Sequence, residues 1–180
     1  MYKKIEVIKN RSDIGAGTRG SDLGIDALEI AAINSNNDFF KIYDFKDVET
    51  RNESIYDKVN NSFAKRISHV YEQCSRLSDA VKISLLKETF PLVLSGDHSS
   101  ALGSISGVKA AYPNKRIGVV WIDAHADLHT PYTSPSGNIH GMPLGAAIND
   151  DNLTCQINEV SEETLKYWTA MKNIDLSGPK

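Results

Sequence analysis

Residues 117–122, Ile-Gly-Val-Val-Trp-Ile, form an apolar run that ends in Asp123-Ala124-His125-Ala126-Asp127. The run is rich in strand formers and carries no charge, the pattern of a strand buried on both faces of a parallel sheet. In an extended chain, residues i, i+2 and i+4 project from one face. Asp123, His125 and Asp127 are therefore expected to point the same way, with only Ala124 and Ala126 between them. The cluster then stands at a strand's carboxyl end, where open α/β sheets place their ligands. Two carboxylates and an imidazole crowded together require a cation, and we read the stretch as a metal site.

The rest of the chain supplies partners for such a strand. Residues 2–9, 39–45 and 91–94 read as three further strands. A glycine-rich loop spans 11–20, and Ser21 is placed to cap a helix over 22–33. Val59, Phe63, Ile67, Val70, Cys74, Leu77 and Val81 recur every three or four residues. That period predicts a long helical region with a break near Ser78-Asp79 and a restart toward Glu88. Ser99 or Ser100 caps a helix that runs to Tyr112 and stops at Pro113. A short helix follows near 141–148, and Trp168 lies on an amphipathic helix whose first turn carries Glu162 and Glu163, favourable at a helix amino end. Alternating strands and helices give an α/β class: a three-layer αβα fold with a mainly parallel sheet, in one domain over residues 1–180. Four strands make a thin sheet for that architecture, and the most apolar one wants a neighbour on each side. The expectation is a domain that continues past the last residue.

Composition narrows the partners. The chain of 180 residues holds 20 basic and 23 acidic side chains, a net charge of −3, so no nucleic-acid footprint is present. No apolar run reaches the length of a membrane span. The apolar stretch after Met1-Tyr2-Lys3-Lys4 is too short for a signal peptide. Cys74 and Cys155 form no redox or metal motif, which fits a reducing cytoplasm.

A second strand end supplies His98, from Ser95-Gly96-Asp97-His98-Ser99. Imidazole and carboxylate ligands without thiolate disfavour a structural zinc site and suit harder ions such as manganese. Asp123, at the centre, is the natural bridge between two ions. Two ions about 3.5–4 Å apart can share one water and bring its pKa from about 15.7 to near 7. Further on, Ser136 and Asn138 offer uncharged polar contacts, and His140 could shuttle a proton, as imidazole side chains can near neutral pH. His69 reads as a helical surface residue and Trp121 as core. Gly15-Ala16-Gly17-Thr18-Arg19-Gly20 matches the dinucleotide fingerprint, with Asp44 and Asp47 near the distance of a ribose contact. A nicotinamide- or flavin-binding module is thus a rival reading, although it explains none of the metal cluster.

Taken together, Ser95-Gly96-Asp97-His98-Ser99, Trp121-Ile122-Asp123-Ala124-His125-Ala126-Asp127 and Ser136-Gly137-Asn138-Ile139-His140-Gly141 closely resemble the arginase branch of the ureohydrolases, from about Ile5 to Leu144. The loop Gly17-Thr18-Arg19-Gly20 is similar to that family's opening and becomes a loop at the active-site rim. The resemblance implies hydrolysis of a guanidinium to urea and an amine at a two-manganese centre. It assigns His98, Asp123 and Asp127 to one ion, and His125 with Asp123 to the other. Asp127 and His140 are carried as catalytic residues, His140 as a proton relay. Ser136 and Asn138 would contact an α-carboxylate, which points to L-arginine rather than agmatine. His129, grouped with them, stands where asparagine is expected in better-known members. The family's later Asp-x-Asp, which completes both metal spheres, has no counterpart in this chain. The resemblance also implies a homo-oligomer, a trimer or hexamer. Other ureohydrolases, acting on agmatine, a guanidino acid or formiminoglutamate, remain alternatives, as does a non-catalytic metal-binding fragment.

Overall fold

A computed structural model describes residues 4–174. The expectations for residues 2 and 3 and for the polar end at 177–180 fall outside the described residues. Three strands form one parallel sheet in the order β2-β1-β3: β1 (Lys4–Asn10), β2 (Asp44–Asp47) and β3 (Thr89–Ser95). Central β1 pairs Val7 with Phe45 on one side and with Leu92 on the other. The helices are α1 (Gly24–Asn34), α2 (Phe39–Ile42), α3 (Ile67–Leu86), α4 (Ser100–Ala111), α5 (Pro143–Ala147) and α6 (Glu162–Met171).

The strand order explains the layers. From β1 the chain crosses to β2 on one side, then from β2 across to β3 on the other. Right-handed crossovers running in opposite directions leave their helices on opposite faces, so the sheet is covered on both sides. The carboxyl ends of β1 and β3 flank the point where the order reverses, which is where such sheets form a crevice. The loops after these two strands are joined there: the Gly96 N–H donates to the Asn10 carbonyl at 3.1 Å and the Asp97 N–H to the Ser12 carbonyl at 2.8 Å.

Helix α3 organises the core. Ile67, Val70 and Cys74 pack with Ile14, Leu102, Ile139, Met142 and Trp168. Further along, Leu77, Ala80, Val81 and Leu85 pack with Ile8 and Val48. Helix α4 lies close on α3 because it offers glycine where the backbones meet. A Cβ on Gly103 would come within 2.7 Å of the Cys74 carbonyl oxygen, and one on Gly107 within 2.6 Å of that of Ser78. A buried polar chain crosses the same junction: Gln73 Nε2 donates to Asn10 Oδ1, and Asn10 Nδ2 donates to Ser100 Oγ at 2.7 Å. Trp168 is fully buried, and its indole N–H donates to Asp151 Oδ1 at 2.7 Å.

Several local expectations are corrected. Residues 39–42 are helical and the strand begins only at Asp44; Phe39 stacks edge-on to Phe40 and tilted on Tyr43, a compact cluster that an extended run would separate. Helix α3 starts at Ile67, not near Val59, and runs unbroken through Ser78 and Asp79, whose low helix propensity is overridden by burial of Leu77, Ala80 and Val81 on both sides. Ser21 does not cap α1; residues 21–23 make a single 3-10 turn first. Ser161 caps α6, accepting from the Thr164 N–H. The largest difference is at 117–122. This run forms no strand and pairs with none among the described residues, and Val120 and Ile122 are 86% and 92% exposed. A parallel strand is held by neighbours, and the described residues offer this one none.

Two outcomes follow from the packing. Burial pushes the Cys74 thiol from 9.0 up to about 12, whereas Cys155 is exposed. In a thiol titration at pH 8 we expect Cys155 to react at once and Cys74 only on unfolding; equal rates would contradict the packing. Because the folded-state pKa is the higher, this group's contribution is intact below the unfolded value and declines as pH rises from about 9 toward 12. Second, a Cβ on Gly137 would lie 1.9 Å from the Ser62 carbonyl oxygen, at a φ of +71°. Gly137→Ala should therefore cost about 2–4 kcal/mol in urea unfolding, combining overpacking with left-handed strain; an unchanged midpoint would refute the contact.

Candidate metal centre

His98 enters from the loop after β3, three residues past Ser95. Its Nδ1 lies 2.9 Å from Asp123 Oδ2 and 2.7 Å from Asp127 Oδ2. All three ligand atoms fall within 4.8 Å of one another. A neutral imidazole has one proton to offer at that nitrogen, and two carboxylates cannot both be satisfied by it. A cation accepted by all three resolves the crowding. The donor set is imidazole plus two carboxylates, without thiolate, and fits a divalent metal ion.

The chain reaches this arrangement differently from a simple strand. After Ile122 it bends, and the His125 N–H donates back to Asp123 Oδ1 at 2.8 Å, a local turn of the kind aspartate makes with the residue two on. That hydrogen bond is the main reason the Asp123 carboxyl sits below the usual carboxylate range; slight burial opposes it, and the nearby imidazoles reinforce it. Asp127 then takes a left-handed φ of +49°. Its carbonyl accepts from the Leu144 and Gly145 N–H groups at the start of α5. The turn brings Asp123 and Asp127 onto His98 and leaves the His125 side chain 84% exposed, its Nδ1 3.5 Å from Asp123 Oδ1. The expectation that all three share one face is thus corrected: His125 borders the compact group without joining it.

One cleft of about 620 Å³ is lined by every residue singled out in the sequence: His98, Asp123, His125 and Asp127 at one end, with His129, Ser136, Asn138 and His140 around them. His129 is anchored by its N–H to the Gly141 carbonyl at 3.0 Å, and its Nδ1 is 3.4 Å from Thr133 Oγ1. The Asn138 N–H donates to Ser136 Oγ at 3.2 Å. The His140 N–H donates to the Gly15 carbonyl at 3.2 Å, so the glycine-rich loop backs this side of the cleft.

That loop is itself pinned by charge. Arg19 Nε pairs with Asp13 Oδ2 at 3.0 Å and its Nη2 with Asp22 Oδ2 at 2.7 Å. Burial pushes Asp13 above the usual carboxylate range; at Asp22 burial acts the same way but is outweighed, chiefly by Arg19, and its pKa falls. Asp44 and Asp47, the ribose candidates, instead pair with Lys4 and Arg11.

Two residues near the site escaped sequence reasoning. Asp97 is buried; its carboxylate accepts from the Ser99 N–H at 2.9 Å and the Gly15 N–H at 3.2 Å. Burial raises its pKa against those bonds. Its place beside His98 was the available signal. Trp121, expected in the core, is only half-buried and stacks on the His98 ring, centroids 4.7 Å apart. Its spacing of two from Asp123 could have shown that.

Comparison with known proteins agrees with this geometry. The arginases of Bacillus caldovelox and Bacillus subtilis are 38% and 39% identical over 148 and 150 residues, covering 81% and 82% of this chain but 49% of each relative. The chain therefore spans about half the length of the curated relatives it matches. Among solved structures, an Entamoeba histolytica arginase in complex with L-ornithine superposes with a TM-score of 0.72 at 31% identity, over 83% of this chain and 51% of that one. The Bacillus caldovelox arginase superposes with a TM-score of 0.67 at 37% identity, over 82% and 49%. The dinucleotide reading is set aside, for the family model described as "Arginase family" matches residues 3–174, and by that match over nearly the whole chain the protein belongs to the arginase family.

Proposed function

We propose that this chain is the amino-terminal half of a manganese-dependent hydrolase that converts L-arginine to L-ornithine and urea. The observation that carries the reading is the convergence of His98, Asp123 and Asp127 within 4.8 Å, in a cleft that also holds Ser136, Asn138 and His140. Membership of the arginase family supports the reaction class. His98, Asp123 and Asp127 would hold one ion, and Asp123 with His125 a second. Bound manganese would supply Lewis acidity and lower the pKa of water to near 7.

The chain's own residues do the rest. The acidic end of the cleft draws the cationic guanidinium toward Asp123 and Asp127. Hydrolysis adds water oxygen to the guanidinium carbon and breaks the bond from that carbon to the side-chain nitrogen. Asp127 accepts a proton from the attacking water, and His140 delivers one to the departing amine. Ser136, Asn138 and His129 offer hydrogen bonds to the α-carboxylate, which fixes the far end of the substrate and sets the reacting carbon in place. Cys74 and Cys155 are both free thiols, in keeping with a cytoplasmic setting.

Two experiments test the reading. Manganese at about a hundred times its Kd should stabilise the native chain by about 2.7 kcal/mol; Asp123→Ala should remove most of that gain and, in the complete enzyme, urea release as well. Urea release that survives Asp123→Ala would overturn the mechanism. His140→Ala should lower turnover by roughly 10²–10⁴-fold, the usual contribution of a positioned acid–base group, while manganese content stays near native. Loss of the metal would make His140 a ligand instead.

A further inference from the structure

The segment before α3 is pressed against the loop that carries Ser136 and Asn138. The Lys65 N–H donates to the Gly137 carbonyl at 2.8 Å. The Ser62 carbonyl oxygen occupies the space a Gly137 Cβ would need. Next in line, Arg66 Nη1 and Asn138 Oδ1 stand 3.7 and 3.0 Å from the point where a Cβ on Gly17 would lie. The guanidinium and the cleft-lining Asn138 amide thus both approach the Gly17 backbone, the guanidinium outside the cleft's own lining.

Arg66 is held there by an uncommon set of restraints. Its φ is +57°, a left-handed conformation that side chains other than glycine, asparagine and aspartate rarely adopt. Its Nε donates to the Ser54 carbonyl at 3.2 Å and its Nη2 to the Ile55 carbonyl at 2.6 Å. These bonds fix the guanidinium plane without neutralising it. Among the described residues no carboxylate pairs with Arg66, and its Nη1 has no hydrogen-bond acceptor. A half-buried cation with an uncommitted Nη1, close to the loop that carries Ser136 and Asn138, can act on an anion bound there through its charge. The surroundings of the cleft are then polarised: Asp123 and Asp127 line it, and Arg66 stands near Asn138 outside it.

We infer that Arg66 is a specificity-determining residue, whose guanidinium favours guanidino compounds that bear a carboxylate at the end remote from the guanidinium. The inference rests on the proposed reading that Ser136 and Asn138 face a substrate carboxylate. It adds a charge where those two residues supply only neutral donors.

The test is binding of L-arginine and of agmatine, which lacks the carboxylate, to the manganese-loaded chain by titration calorimetry. Arg66→Asn removes the charge and suits the left-handed backbone, and Arg66→Lys keeps the charge. We expect Arg66→Asn to weaken L-arginine about tenfold and agmatine less than twofold, with Arg66→Lys close to native. Raising the salt concentration should narrow the difference between native and Arg66→Asn for L-arginine alone. Equal weakening of both ligands by Arg66→Asn, or no weakening of L-arginine, would overturn the role of Arg66 and leave the arginine reading standing. Agmatine bound by the native chain as tightly as L-arginine, or neither bound, would sink the arginine reading, and the inference with it.

Discussion

The buried carboxylate of Asp97 joins the two loops on which the cleft depends. It sits at the carboxyl end of β3, accepts one N–H from Ser99 and another from Gly15, and so ties the β3 loop to the loop after β1. Each tie has a consequence for the site. The residue after Asp97 is His98, which meets Asp123 and Asp127. The carbonyl of Gly15 receives the His140 N–H. A Cβ on Gly15 would come within 2.6 Å of Asp97 Oδ1, so the approach leaves no room for a side chain there. One carboxylate thus sets the distance between the histidine at the acidic cluster and the histidine across the cleft. Burial alone would favour its neutral form, and the amide donors are what make the charged form tolerable.

The acidic cluster has the opposite electrostatic problem. Asp97 receives donors; Asp123 and Asp127 share one imidazole nitrogen between two carboxylates. The Asp123 turn satisfies one of its oxygens with the His125 N–H and leaves the other for the shared position. The geometry is therefore one of paired anions with one oxygen each committed to a common point, and a divalent cation is the simplest group to occupy that point.

Much of this was legible in the sequence because it rests on local chemistry. Strand-then-loop signals placed His98 correctly, since β3 is a short apolar run ended by Ser95-Gly96. The family motifs name eight residues that line one cleft, although only His98 follows a strand of the sheet. What sequence reasoning misread depended on non-local support. Residues 117–122 have the composition of a buried strand, yet composition cannot supply the neighbouring strand that buries it. The alternation rule for Asp123, His125 and Asp127 presumed an extended chain, and a side-chain-to-backbone bond at Asp123 bent it. Helix α3 ran through Ser78 and Asp79 because its apolar contacts outweighed two weak helix formers. Asp97 was invisible for a simpler reason: a buried acid and an exposed one look the same in a sequence.

Backbone strain separates the residues that serve the cleft from those that merely turn the chain. Among the described residues, six other than glycine have positive φ. Asn36 and Asn149 follow α1 and α5, and Glu88 follows α3, positions where a left-handed residue commonly closes a helix. Asn152 precedes a 3-10 turn, and asparagine tolerates the region. Arg66 has neither excuse, and Asp127, although aspartate tolerates the region, closes no helix. Arg66 is at the start of a helix, where no left-handed residue is called for, and Asp127 is in a loop whose carbonyl is already taken by α5. Each conformation costs about 1–2 kcal/mol, and neither position is occupied by glycine, which would remove that cost. The side chains are what glycine would forfeit: at Asp127 an oxygen aimed at His98, at Arg66 a guanidinium tethered by two carbonyls next to Asn138. Strain of this kind persists where surrounding contacts over-determine it. Asp127 lines the cleft and Arg66 stands near its Asn138, so in both cases the strained backbone holds a charged side chain at or beside the same site.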